Sequence, residues 1–285
     1  MLTPAAAEKL IFSHLAPFHR EDCPLAQAHG RSLRADLCAD RDLPPFDRVT
    51  MDGYALRAAS LAAGLTEFGI QGVQAAGMRP FQLGPAAGAC LEIMTGAVLP
   101  AGADCVVPYE DTTRAATDAT ITVSAAAAHF TSGHAIHRRG SDHRAGDVIV
   151  REGTRLTGRE IAVAAACGYA SVTVSQSPKI AVIATGDELV DVGAPVAPHQ
   201  IRRSNDHALS AALAAAGYPL TSRFHLRDVR HEIEHLLWHI LAEYDVVLIT
   251  GGVSKGKFDF LPAELDRQGV KKIFQGVAQR PGKPF

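Results

Sequence analysis

The chain predicts a multidomain protein of the α/β plus β class: a parallel-sheet α/β part towards its C-terminal end, a β-rich stretch before it, and a mixed α/β piece joining them. Three observations carry this. Beyond Pro178, apolar strand-like runs alternate with helical patterns. From about 42 to 139, short apolar alternations are separated by Gly and Pro turns. The length of 285 residues exceeds a typical single domain, so two or three are expected.

Bulk properties narrow the functional class. A net charge of −2 gives no reason for bulk attraction to nucleic acid or membrane. No run of apolar residues is long enough for a transmembrane helix. The start, Met-Leu-Thr-Pro-Ala-Ala-Ala-Glu-Lys, lacks the basic and apolar regions of a signal peptide. Five scattered cysteines, without a C-x-x-C pair, fit a reduced, cytoplasmic compartment.

Taken in order, residues 4–20 read as a helix, with Pro4 in the first turn and Leu10, Ile11 and Leu15 as an apolar stripe. Residues 24–40 read as a second helix, with Leu25, Leu33 and Leu37 apolar, weakened by Gly30 and ended by Pro44-Pro45. Strands are expected in Phe68-Gly-Ile-Gln-Gly-Val, Ala89-Cys-Leu-Glu-Ile-Met and Ala119-Thr-Ile-Thr-Val. Residues 140–177 carry Gly-Asp-Val-Ile-Val, a helix near Thr157–Ala166 and the strand Ala170-Ser-Val-Thr-Val. After Pro178, strands are expected over 179–185, 220–226, 245–250 and from 272. Helices are expected over 204–216, 228–244 and 258–268.

The densest chemical signal is Asp245-Val-Val-Leu-Ile-Thr-Gly-Gly-Val-Ser-Lys-Gly-Lys-Phe-Asp259. Its apolar run reads as a strand buried on both faces. The glycines Gly251 and Gly252 let the backbone turn sharply at the edge where open α/β sheets bind ligands. Backbone N–H groups there, with Ser254 and a Lys, suit an anion such as phosphate. Two further strand ends, Thr185-Gly-Asp-Glu188 and Arg227-Asp228, belong on the same edge if the crossovers are right-handed. Arg280-Pro-Gly-Lys-Pro-Phe285 adds the cation Lys283 in a rigid turn.

Three other clusters stand out. Pro45-Phe-Asp-Arg-Val-Thr-Met-Asp-Gly-Tyr-Ala55 reads as a tight turn capped by its own carboxylates or as part of a site. Thr95-Gly96 either presents a hydroxyl at a loop or closes a hairpin, and Gly140-Ser-Asp142 adds acid. Carboxylates at Asp52, Asp142, Asp187, Glu188, Asp228 and Asp259 have the oxygen chemistry that Mg²⁺ takes. His134, His137 and His143 have conceivable zinc spacing, but no second Cys/His pair supports it. Cys105 and Cys167 sit in apolar contexts and read as core. No G-x-x-x-x-G-K-[ST] loop is present.

Read together and in order, Pro-Phe-Asp-x-x-x-Met-Asp-Gly-Tyr-Ala, Met-Thr-Gly-Ala-x-Leu-Pro-x-Gly-Ala-Asp, Thr-Gly-Asp-Glu-Leu, Ser-Asn, Gly-Gly-Val-Ser-x-Gly-x-x-Asp and Pro-Gly-Lys-Pro resemble the molybdopterin molybdenumtransferases. These are the molybdenum insertases of MoeA and gephyrin E-domain type. The resemblance spans essentially the whole chain. It implies insertion of molybdate into adenylylated molybdopterin, assisted by Mg²⁺, with cleavage of the adenylate and release of AMP. It implies a three-layer α/β/α molybdopterin-binding domain from 1–20 and 178–285, a linking domain from 21–40 and 140–177, and an inserted β-rich domain over 41–139. It also implies a homodimer, with a molybdopterin adenylyltransferase as partner.

Residue by residue, the resemblance puts Asp52, Thr95 and Asp142 at the site, with Glu188, Asp228 and Asp259 as acids on the α/β edge and metal ligands. Thr185, Gly186, Asp187, Ser204, Asn205, Gly251, Gly252, Ser254, Pro281 and Lys283 would face the pterin nucleotide. Departures are Arg48 before Met-Asp-Gly, the basic Arg202-Arg203, and Lys255. The family pattern continues past Pro-Gly-Lys-Pro, whereas this sequence ends at Phe285. An alternative is therefore a catalytically impaired fragment serving as a dimeric pterin-nucleotide-binding or scaffold module. An adenylyltransferase identity is opposed by the Met-Asp-Gly-Tyr cluster and the inserted β domain.

Overall fold

In the computed structural model, residues 1–252 and 260–280 are described. The chain forms two compact units, Met1–Arg34 with Ser171–Phe285, and Ala35–Ala170.

The first unit is built on a parallel sheet of three strands, ordered Thr221–Leu226, Ile180–Thr185, Val246–Thr250. The central strand is buried along its whole length, which its unbroken apolar run requires. Val246–Thr250, the strand expected to be buried on both faces, is only half-buried. It pairs on one side only among the described residues. Helices Asn205–Ala215, Arg230–Glu243 and Leu261–Arg267 complete the alternation. Arg230–Glu243 sends Ile233, Leu237 and Ile240 into the core with Ile183 and Leu226. That spacing of four and three is the apolar stripe of an amphipathic helix.

The N-terminal helix is Pro4–His14, shorter than the expected 4–20. Thr3 caps it by accepting from the Ala6 N–H at 3.2 Å. No helix forms over 24–40. Leu25–Gln27 is a single 3₁₀ turn, and Gly30 adopts φ +78°. Leu33 then bridges Val174, while Leu37–Cys38 pairs with Val148–Val150 in the second unit. Leu33 and Leu37, which mimic part of a helical stripe, instead pair with strand residues remote in sequence. Among the described residues, those from 272 to 280 form no strand, only the bridge of Val277 to Leu2.

The second unit holds a six-stranded sheet in the order Cys105–Pro108, Gly53–Leu56, Ala89–Ile93, Glu67–Gln74, Thr120–Val123, Thr112–Arg114. Pairing is antiparallel except between Glu67–Gln74 and Ala89–Ile93. The period-two pattern feeds two cores. Tyr54, Leu56, Cys105 and Val107 enter one; Ala55, Val106, Leu91 and Ile93 enter the other. Helix Gly158–Ala166 follows, closed by a capping box between Thr157 and Glu160.

Candidate functional site

The strand order of the parallel sheet runs second, first, third, so the chain leaves the central strand to one side and later returns to the other. The crevice beyond the carboxyl ends at such a switch is where open α/β sheets bind ligands. Parallel register brings Thr185 beside Leu226, and Ala184 beside Thr250, so the three strand ends share one edge. Their loops are knitted together. Thr185 Oγ1 donates to the Thr250 carbonyl (3.3 Å), Gly186 N to the Leu226 carbonyl (3.0 Å), and Asp228 N to Asp187 Oδ1 (3.0 Å). His225 Nε2 donates to the Gly186 carbonyl at 2.8 Å.

Gly251 is the sterically decisive residue. Its φ is +88°, and a Cβ there would stand 2.5 Å from Thr185 Oγ1 and 2.8 Å from the Thr185 carbonyl. Only glycine lets the two loops approach so closely. A small cleft opens beside them, lined by Thr185, Leu226, Arg227, Asp228, Gly252 and Phe260, among others. Arg227 is not free to serve it: its guanidinium pairs with Glu232, whose carboxyl is thereby held below its usual range. Asp187, Glu188 and Asp228 are exposed on this edge.

Ser204 and Asn205 open the helix Asn205–Ala215, where the Ser204 side chain makes no cap. The next residue, Asp206, is fully buried, and neither oxygen has a hydrogen-bond partner among the described residues. Arg203 at 3.8 Å and Arg223 at 4.0 Å supply its counter-charge.

In the second unit, Asp52 does not cap its own turn. Its Oδ1 accepts from the Thr95 backbone N–H (2.6 Å) and the Thr95 hydroxyl (2.8 Å). Those bonds, the backbone one first, hold its carboxyl below the usual carboxylate range. Gly53 is not a turn residue but the first residue of a strand, pressed so tightly on the Val107 carbonyl that no Cβ fits. Asp47 likewise bonds elsewhere, to the Arg139 N–H (2.9 Å) and Arg138 (2.7 Å). Asp142 Oδ1 pairs with His137 Nε2 at 2.8 Å, and Arg48 reaches His137 Nδ1 at 3.1 Å. The loops bearing these residues are tied together by strand Arg48–Val49, which pairs with Ile136–His137 and bonds Ala97 through the Val49 N–H.

Asp259, Ser254, Pro281 and Lys283 lie outside the described residues. Among the described residues, no three His, Cys, Asp or Glu side chains cluster closely enough to hold a metal ion, which includes the histidines from 134 to 143. The exposed carboxylates Glu188 and Asp228 still have the hard-oxygen chemistry that Mg²⁺ prefers, one or two carboxylates being a usual protein share. Burial pushes the Cys90 thiol up to about 12 and Cys105 to about 11, so neither is a nucleophile.

Two short patterns escaped the sequence reading: G-x-S-x-G at Gly252–Gly256, and H-E-x-x-H at His231–His235. Gly252 is the only member of the first within the described residues. In the second, Glu232 is tied to Arg227, so no carboxylate is offered as a general base.

The chain matches the MoeA N-terminal region (domain I and II) over residues 2–168 and a probable molybdopterin binding domain over 181–285. It is 38% identical to a molybdopterin molybdenumtransferase of Synechocystis sp. across the full chain, which spans 72% of that relative. It is 36% identical to one of Bacillus subtilis over 88% of the chain and 59% of the relative. The crystal structure of a molybdopterin biosynthesis moeA protein from Pyrococcus horikoshii aligns with all of the chain and 71% of its own, at TM-score 0.82 and 28% identity.

Proposed function

The chain belongs to the MoeA family of molybdopterin molybdenumtransferases, which makes it a transferase of molybdenum cofactor biosynthesis, and from that premise we propose how its residues divide the work. The substrates are adenylylated molybdopterin and molybdate; the products are the molybdenum cofactor and AMP. The observation that carries the assignment of the site is the switch-point edge, where Gly251 is pinned against Thr185 beneath three converging loops.

The pterin nucleotide lies along this edge, with its phosphates over the backbone at Gly186, Gly251 and Gly252. Thr185 fixes the spacing of the two loops. Asp187 holds the Asp228 backbone N–H, so the two acid-bearing loops move as one. Ser204 and Asn205 contribute the N-terminus of a helix, whose orphan N–H groups favour an anion. Ser254, Pro281 and Lys283 complete the phosphate and pterin contacts. Glu188, Asp228 and Asp259 would hold Mg²⁺, which when bound would offset negative charge on the phosphoanhydride. Asp52, Thr95 and Asp142 serve the molybdate end, with the Asp52 carboxylate kept ionised by Thr95.

The same reading divides the chain into three domains, 1–20 with 178–285, 21–40 with 140–177, and 41–139. It includes a homodimer, a molybdopterin adenylyltransferase as partner and a cytoplasmic setting, with which five free thiols accord. No described helix is long and apolar enough to cross a membrane.

The direct test is AMP release from adenylylated molybdopterin, with molybdate and Mg²⁺ added singly and together. Release that needs both supports insertion. Release indifferent to molybdate would reduce the protein to a hydrolase of the adenylate.

A further inference from the structure

The helix Arg230–Glu243 carries His231, His235 and His239 at successive intervals of four, all solvent-exposed. Residues four apart share a helix face. His235 Nε2 and His239 Nε2 stand only 3.3 Å apart, their rings 4.6 Å between centroids at 66°. They border an open groove between this helix and Leu261–Arg267, also lined by Trp238, Glu264 and Gln268.

We propose that His235 and His239 chelate a divalent first-row transition ion. Two imidazole nitrogens, each 2.0–2.1 Å from a zinc-like ion at a tetrahedral angle, lie about 3.4 Å apart. The observed separation of 3.3 Å is close to that bite.

The surrounding charges leave this pair as the donor set. Glu234 is engaged by Arg267 at 2.6 Å. Glu264 is held by Arg267 and by Gln268, the latter at 2.7 Å. Water completes the coordination from the groove. Two nitrogen donors without a carboxylate favour Cu²⁺ over Ni²⁺ and Zn²⁺ in the usual affinity order, and give Mg²⁺ nothing it prefers. The site is thus chemically separate from the acidic edge.

The protein carries its own reporter. Trp238 is the only tryptophan in the sequence. Its ring lies 4.9 Å from that of His239. Titration of the whole chain with Cu²⁺ or Ni²⁺ in a non-chelating buffer is followed by tryptophan fluorescence. The expected result is a saturable quench at one equivalent, reversed by EDTA and unaffected by excess Mg²⁺. His235→Ala and His239→Ala each raise the ion concentration at half-quench roughly tenfold or more, because the second imidazole binds intramolecularly. His231→Ala leaves the curve in place. All three positions are exposed, and circular dichroism verifies that each variant is folded. Unchanged curves in both the His235 and His239 variants, or loss of the quench on removing His231 alone, would overturn the proposal.

Discussion

The two regions that hold candidate site residues are organised on opposite principles. In the β-rich unit the carboxylates of the candidate region are already committed: Asp52 to Thr95, Asp142 to His137, Asp47 to Arg138 and Arg139. At the parallel-sheet edge, backbone takes the lead. Gly251 packs on Thr185, and the exposed acids Asp187, Glu188 and Asp228 follow the strand ends. The first arrangement presets a geometry through side-chain hydrogen bonds. The second shapes a concave surface by letting main chains meet, which suits a large anionic nucleotide better than a small oxyanion. A protein that must hold a pterin nucleotide and meet molybdate has use for both.

The sharpest break in that contrast is at Asp228. Asp228→Ala is expected to cut molybdate-dependent AMP release by roughly a hundredfold, since on the proposed assignment it removes a ligand of the Mg²⁺ that offsets charge on the phosphoanhydride. Its chemical denaturation midpoint stays close to the parent's, because the residue is exposed. Equal losses in activity and stability would reassign it to structure.

Gly251→Ala tests the backbone principle. It forces a left-handed residue to carry a Cβ against Thr185, at a cost of about 2–3 kcal/mol in urea unfolding. Binding of the pterin nucleotide should weaken in the same variant.

Thr95→Val tests the side-chain principle, removing the hydroxyl but keeping the backbone bond to Asp52. Loss of one exposed hydrogen bond costs about 0.5–1 kcal/mol. The KM for molybdate should rise more than the KM for the nucleotide.

The smallest effect is the pH dependence of Asp52. Its folded-state carboxyl is held below its unfolded value, so its stabilising contribution is complete above the ordinary carboxylate range near ~3.9. That contribution fades as pH falls through the lower folded value. Asp52→Asn should therefore lower stability slightly at neutral pH and flatten the acid limb, so that the two curves converge below about pH 4.

Sequence alone determined the alternation beyond Pro178. Its strands are continuous apolar runs, its helices carry stripes at three and four, and such periodicities are local properties of the chain. It also placed Thr185, Asp228 and Gly251 on one edge, because parallel crossovers leave a chain little choice of side.

What tertiary structure decided was partnership. Leu25, Leu33 and Leu37 read as a helix, yet Leu33 and Leu37 are claimed by strands more than a hundred residues away. Asp52 reads as a turn cap and instead caps Thr95, 43 residues on. His235 and His239 stand four apart on a helix, and their ring nitrogens come within 3.3 Å only through their rotamers. Secondary structure follows from the order of residues along a few turns. Hydrogen-bond partners follow from which distant surfaces bury each other, and a linear pattern does not encode that choice.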